Sequence, residues 1–138
     1  MRSPFRWLGS SVVVTGGSRG IGLAIATEAL SRGARVGLIS RSAADLDRAA
    51  SRLRESRAGG IATAVADVAS REQFESALGE LADAVGPVDV LVNNAGTGAY
   101  GRFGDSELDG LEHALAVNYL GTVYGTRAVL PGMVERGR

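Results

Sequence analysis

Residues 12–22 read VVVTGGSRGIG: three valines and a threonine, then four glycines within seven residues. Glycine weakens strands and helices alike, so a cluster of it between the two marks a turn needing backbone conformations that other residues resist. The run before it, SSVVVT, is β-branched and apolar, the pattern of a strand buried on both faces of a parallel sheet. After it, Ile21, Ala24, Ile25 and Ala29 keep helical spacing, and Gly33 supplies a stop near Arg32. The segment dictates a strand, a tight turn and a helix.

The unit then recurs. RVGLIS (35–40) reads as a second strand, and Ser42, three residues before Asp45, opens a helix with Leu46, Ala49, Ala50 and Leu53 on one stripe, ending near RAGG (57–60). IATAVAD (61–67) is a third strand. Ser70 and Gln73 open a helix whose apolar set is Phe74, Ala77, Leu78, Leu81, Ala82 and Val85. GPVDVLVNNAG (86–96) gives a turn, a fourth strand and another glycine-containing loop, and Ser106 to about Arg136 reads as helix kinked near Asn118. Four strand–helix alternations predict an α/β fold, a Rossmann-like doubly wound parallel sheet. Residues 1–9 read as an extension and 10–138 as one domain.

Composition narrows the function. The 15 basic residues, all arginine, balance 15 acidic ones, which gives no electrostatic reason to expect a nucleic acid or an anionic membrane as partner. Without cysteine, and with His113 the lone histidine, neither a thiolate site nor a transition-metal centre is expected, and a reducing cytoplasm fits. No apolar run reaches membrane-span length.

In a doubly wound sheet, ligands settle beyond the carboxyl ends of the strands where strand order reverses, and the first strand-to-helix turn lies there. Glycines let a pyrophosphate approach the backbone, and the following helix offers free N–H groups and partial positive charge. The spacing of Gly16, Gly20 and Gly22 is G-x-x-x-G-x-G, distinct from G-x-G-x-x-G, and a P-loop is excluded because the chain has no lysine.

With Thr15 in front, this spacing resembles the cofactor loop of the short-chain dehydrogenase/reductase family, and ADV at Asp67, NNAG at 93–96 and VNYLG around Asn118 follow in that family's order. The resemblance runs from about Ser10 to Arg138. It implies cofactor contacts from Thr15, Gly16, Ser18, Arg19, Gly20, Ile21 and Gly22, an adenine site at Asp67 and Val68, and a ribose wall at Ala95 and Gly96. It further implies that Asn93 braces the central sheet and that Asn118 anchors a water in a proton relay. The long last helix resembles one through which such enzymes form homo-oligomers.

Sites for unphosphorylated NAD place Asp or Glu near the end of strand two. Here there is no acid between Glu28 and Asp45; Arg41 stands at the strand end and Arg19 inside the glycine loop. Guanidinium forks bind phosphate bidentately, and both positions match the family's NADP-selective members, so NADP(H) is expected in preference to NAD(H).

The family's serine and Tyr-x-x-x-Lys pair are not found. Tyr100, Tyr119 and Tyr124 are followed four residues later by Gly104, Val123 and Ala128. With strand order 3-2-1-4, strand four becomes an open edge, so an incomplete domain is expected. Two readings follow: the cofactor-binding half of an oxidoreductase acting on a carbonyl or secondary alcohol, inactive alone, or a non-catalytic nucleotide-binding or dimerisation module. Reductases of 3-oxoacyl carriers, of 3-ketosphinganine-like lipids and of small ketones share these motifs, so no single substrate is implied.

Overall fold

The computed structural model describes residues 5–56, 60–98 and 100–137. Four strands, β1 (Ser11–Thr15), β2 (Arg35–Ser40), β3 (Ile61–Val65) and β4 (Val90–Val92), form one parallel sheet in the order β3-β2-β1-β4. Helices α1 (Gly20–Ser31), α2 (Ala43–Ser56) and α3 (Arg71–Val85) follow the first three strands. After β4 come a short 3-10 turn at Phe103–Asp105, α4 (Leu108–Leu115), a π-helical segment at Ala116–Leu120 and α5 (Gly121–Arg136). This is the Rossmann-like α/β architecture that the alternation dictates.

The sheet divides two apolar layers, because successive strand residues point to opposite faces. Val12, Val14, Val36 and Leu38 pack with Ala26, Ala29 and Leu30 of α1 and Leu46, Ala49 and Leu53 of α2. Val13 and Ile39 face the other way, onto Phe74, Ala77, Leu78 and Leu81 of α3, with Tyr124, Val129 and Met133 of α5 at the margin. Gly125 permits that approach: a Cβ there would lie 2.6 Å from the Phe74 ring.

Helix starts follow the capping chemistry. The Ser42 Oγ accepts the Asp45 N–H at 3.2 Å, and Ser70 caps α3 by accepting from Gln73 N. The stop expected near 57–60 falls mostly on residues 57–59, outside the described residues. Near Asn118, where a kink is expected, the helical run passes through a π-helical segment at Ala116–Leu120 between α4 and α5.

Two details depart from the sequence reading. On α1 the buried face is Gly22, Ala26, Ala29 and Leu30, while Ile21 is 74% exposed and Ala24 is exposed. Small residues carry the helix close to the sheet, and Ile21, in the first turn, looks out over the strand ends instead. β3 closes at Val65, two residues early, because Asp67 turns away: its N–H donates to Gln73 Oε1 and its Oδ1 accepts from Ala69 N.

Among the described residues β4 pairs with β1 alone, so its other edge is unpaired, as the strand order requires. At the base of this strand the buried Asp89 accepts the Ser11 N–H, and Arg136 of α5 donates to the Val88 carbonyl at 2.6 Å.

Candidate functional site

The carboxyl ends of β1, β2 and β3 and the loop after β4 enclose an open-sided cavity of about 300 Å³, at the low end of the range for small-molecule pockets. One wall is the glycine loop. Gly16 and Gly20 hold φ of 64° and 55°, conformations that L side chains resist. The loop is tied to β2, the Gly16 and Gly17 N–H groups donating to the Ile39 carbonyl at 2.8 and 3.3 Å.

The glycines serve different ends. At Gly22 a Cβ would lie 2.4 Å from the Gly16 carbonyl oxygen and 2.6 Å from Asn94 Nδ2, so this residue closes the loop onto α1. At Gly20 a Cβ would meet nothing within 4 Å, so its φ, not crowding, requires glycine. No side chain caps the N-terminus of α1, and its first turn carries no acid, so free N–H groups and partial positive charge are left at the cavity.

Of the residues singled out from sequence, Gly16, Ser18, Arg19, Ile21, Arg41, Asp67, Val68, Ala95 and Gly96 line the cavity together. Thr15, Gly20, Gly22, Asn93 and Asn118 are not among its lining. Thr15 is buried beneath it, where its Oγ1 accepts the N–H groups of Asn94 and Ala95 at 3.1 and 3.0 Å.

The brace expected of Asn93 is made by Asn94, which donates through Nδ2 to the Thr15 and Gly16 carbonyls at 3.0 and 3.3 Å. Neighbouring residues leaving a strand face opposite ways, so Asn93 reaches α5 instead, donating to Thr126 Oγ1 at 3.3 Å. Asn118 pairs with the Thr97 backbone twice: Thr97 N donates to its Oδ1 at 2.9 Å, and its Nδ2 donates to Thr97 O at 2.8 Å. Its own carbonyl accepts the Thr122 hydroxyl at 3.2 Å.

Ile39 and Ser40, which the sequence reading did not single out, also line the cavity, as do Thr97 and, from the ADV, NNAG and VNYLG motifs, Ala66, Asn94 and Val117. The strand-end positions could have been found by asking which residues follow the last buried strand residue. Val117 comes from the π-helical segment.

The uncapped start of α1 lies against this cavity, and Arg19 and Arg41, both exposed, are among the residues that line it. The sequence model of the short chain dehydrogenase family matches residues 10–138. The chain belongs to this family.

Within the family it is similar to a 3-dehydrosphinganine reductase of Danio rerio, at 40% identity over 137 residues, which cover 96% of this chain and 41% of that protein. It superimposes on the L-sorbose reductase of Gluconobacter frateurii, solved with NADPH and L-sorbose, with a TM-score of 0.88 and 32% identity over 94% of this chain and 49% of the other. A blue fluorescent protein from a metagenomic library, solved with NADPH, gives a TM-score of 0.83 and 32% identity over 94% and 53%. The chain therefore spans about half the length of the family members it matches. Among the described residues no helix is long and apolar enough to cross a membrane.

Proposed function

We propose that this chain is the cofactor-binding part of an NADP(H)-dependent oxidoreductase that moves a hydride between a nicotinamide and a carbonyl or secondary alcohol. The observation that carries the cofactor choice is the pair Arg19 and Arg41 on a cavity whose β2 wall ends in Ser40 instead of an acid. A phosphomonoester carries about −1.5 to −2 charges at neutral pH, and two guanidinium groups at the rim attract it, whereas Asp or Glu would repel it. The NADPH held by the L-sorbose reductase and the blue fluorescent protein supports the same choice.

In this reading the glycine loop and the α1 N-terminus hold the pyrophosphate, Asp67 and Val68 flank the adenine, and Ala95 and Gly96 pass the ribose. The bound nicotinamide supplies or accepts the hydride. Asn118 keeps the Thr97 segment in place with its side chain, and in this reading its backbone anchors a relay water. Proton donation to the substrate oxygen falls to groups outside these 138 residues, which include no lysine. The isolated chain binds cofactor and turns nothing over.

A second role rests on α4 and α5. Leu115, Tyr119, Val123, Leu130 and Val134 are exposed at intervals of four, four, seven and four residues, an apolar stripe suited to packing in a homo-oligomer. A cytoplasmic location accords with the absence of cysteine.

The test is cofactor oxidation by the full-length protein carrying this segment, with 3-dehydrosphinganine and small ketones as carbonyl substrates. The proposal expects NADPH consumption well above that of NADH, and none by residues 1–138 alone. Equal use of NADH would overturn the cofactor assignment; turnover by the isolated chain would overturn the division of labour.

A further inference from the structure

Ser40 is the last residue of β2, directly before Arg41, and lines the cavity together with Arg19 and Arg41. Its hydroxyl oxygen accepts two hydrogen bonds: from the Ser18 hydroxyl at 3.2 Å and from the Ser42 N–H at 3.4 Å. The second bond closes a turn around Arg41, with a serine oxygen taking the N–H two residues on. The first joins this turn to the glycine loop at the residue before Arg19. Ser42 in turn caps α2 by accepting from Asp45 N. One oxygen atom thus fastens both arginine-bearing segments and, through Ser42, the start of a helix.

Accepting the NADP(H) reading above, on which this step rests, we infer that Ser40 is a positioning residue for the 2′-phosphate: its hydroxyl fixes the relative placement of the Arg19 and Arg41 backbones. Long guanidinium side chains lose rotamer entropy on closing around a phosphate, and a rigid base beneath both of them lowers that cost. An unphosphorylated ribose draws no such benefit. Ser40 therefore contributes to selectivity for the phosphorylated nucleotide more than to nucleotide affinity in general.

The experiment compares the dissociation constants of 2′,5′-ADP and 5′-AMP, which differ only in the 2′-phosphate, for the wild type and for Ser40→Ala, Ser40→Thr and Ser18→Ala. Ser40→Ala should lower the preference for 2′,5′-ADP roughly fivefold, in keeping with the loss of two long hydrogen bonds. Its 5′-AMP affinity should fall by a smaller factor than its 2′,5′-ADP affinity, so the ratio of the two constants is the readout. Ser40→Thr, which keeps the hydroxyl, should restore the preference. The double variant Ser18→Ala/Ser40→Ala should be no less selective than Ser40→Ala, which has already lost the Ser18–Ser40 bond.

A preference unchanged in Ser40→Ala, or equal losses for both nucleotides, overturns the positioning role and leaves the NADP(H) reading standing. A wild type that does not prefer 2′,5′-ADP overturns both.

Discussion

Asn94 and Thr15 hold the two glycine-containing loops together: Asn94 N donates to Thr15 Oγ1 at 3.1 Å, and Asn94 Nδ2 donates to the Thr15 carbonyl at 3.0 Å. Ala95 N also donates to Thr15 Oγ1. Since Thr15 is buried, Thr15→Val would leave two N–H groups without this acceptor at nearly constant volume. The expected cost is about 1–3 kcal/mol, read as a lower midpoint in urea with an unchanged denaturant slope. Asn94→Ala should act in the same direction.

The two glycines Gly22 and Gly79 should respond to alanine with opposite signs. At Gly22 the new methyl meets the Gly16 carbonyl and Asn94, so the loop must shift, at a cost of about 1–3 kcal/mol, and nucleotide binding should weaken with it. Gly79, inside α3, faces open space; alanine there should stabilise by roughly 0.5–1 kcal/mol. Thermal unfolding of the two variants beside the wild type checks both.

Ser40→Asp should invert the nucleotide preference. A carboxylate at this position can still accept from Ser18 and Ser42, so the loop geometry persists while the charge changes. It can accept from ribose hydroxyls and repels a 2′-phosphate. NADPH affinity should fall at least about tenfold, since juxtaposed like charges cost several kcal/mol, and NADH affinity should rise or hold. Paired titrations of the variant decide it.

Salt should separate the two cofactors. Arg19 and Arg41 are exposed, so their attraction for phosphate is screened over about 8–10 Å near physiological ionic strength. Raising salt from low to physiological strength should weaken NADPH more than NADH, and the difference should shrink in Arg19→Ala and Arg41→Ala. Parallel slopes for both cofactors would count against a charge-based preference.

The parts legible in the sequence were those with local causes. The β-branched runs, the helical stripes of α2 and α3, and the serines at 42 and 70 each carry their own signal. Less legible were positions set by the meeting of distant segments. Ile21 keeps helical spacing with Ala24 and Ile25 yet lies exposed, because the buried face of α1 is Gly22, Ala26, Ala29 and Leu30. Asn93 and Asn94 are indistinguishable in sequence, and only the direction in which β4 ends gives the brace to the second. Ser40 looked like an ordinary strand end; its importance depends on Ser18, 22 residues earlier, reaching the same atom.

The measurement closest to the central claim is a fluorescence titration of residues 1–138 with NADPH and, in parallel, with NADH. The account predicts saturable binding of both, tighter for NADPH by at least about tenfold, as expected for a phosphate held by charge-assisted hydrogen bonds. Equal affinities, or no binding of either by a chain that unfolds cooperatively, would contradict it.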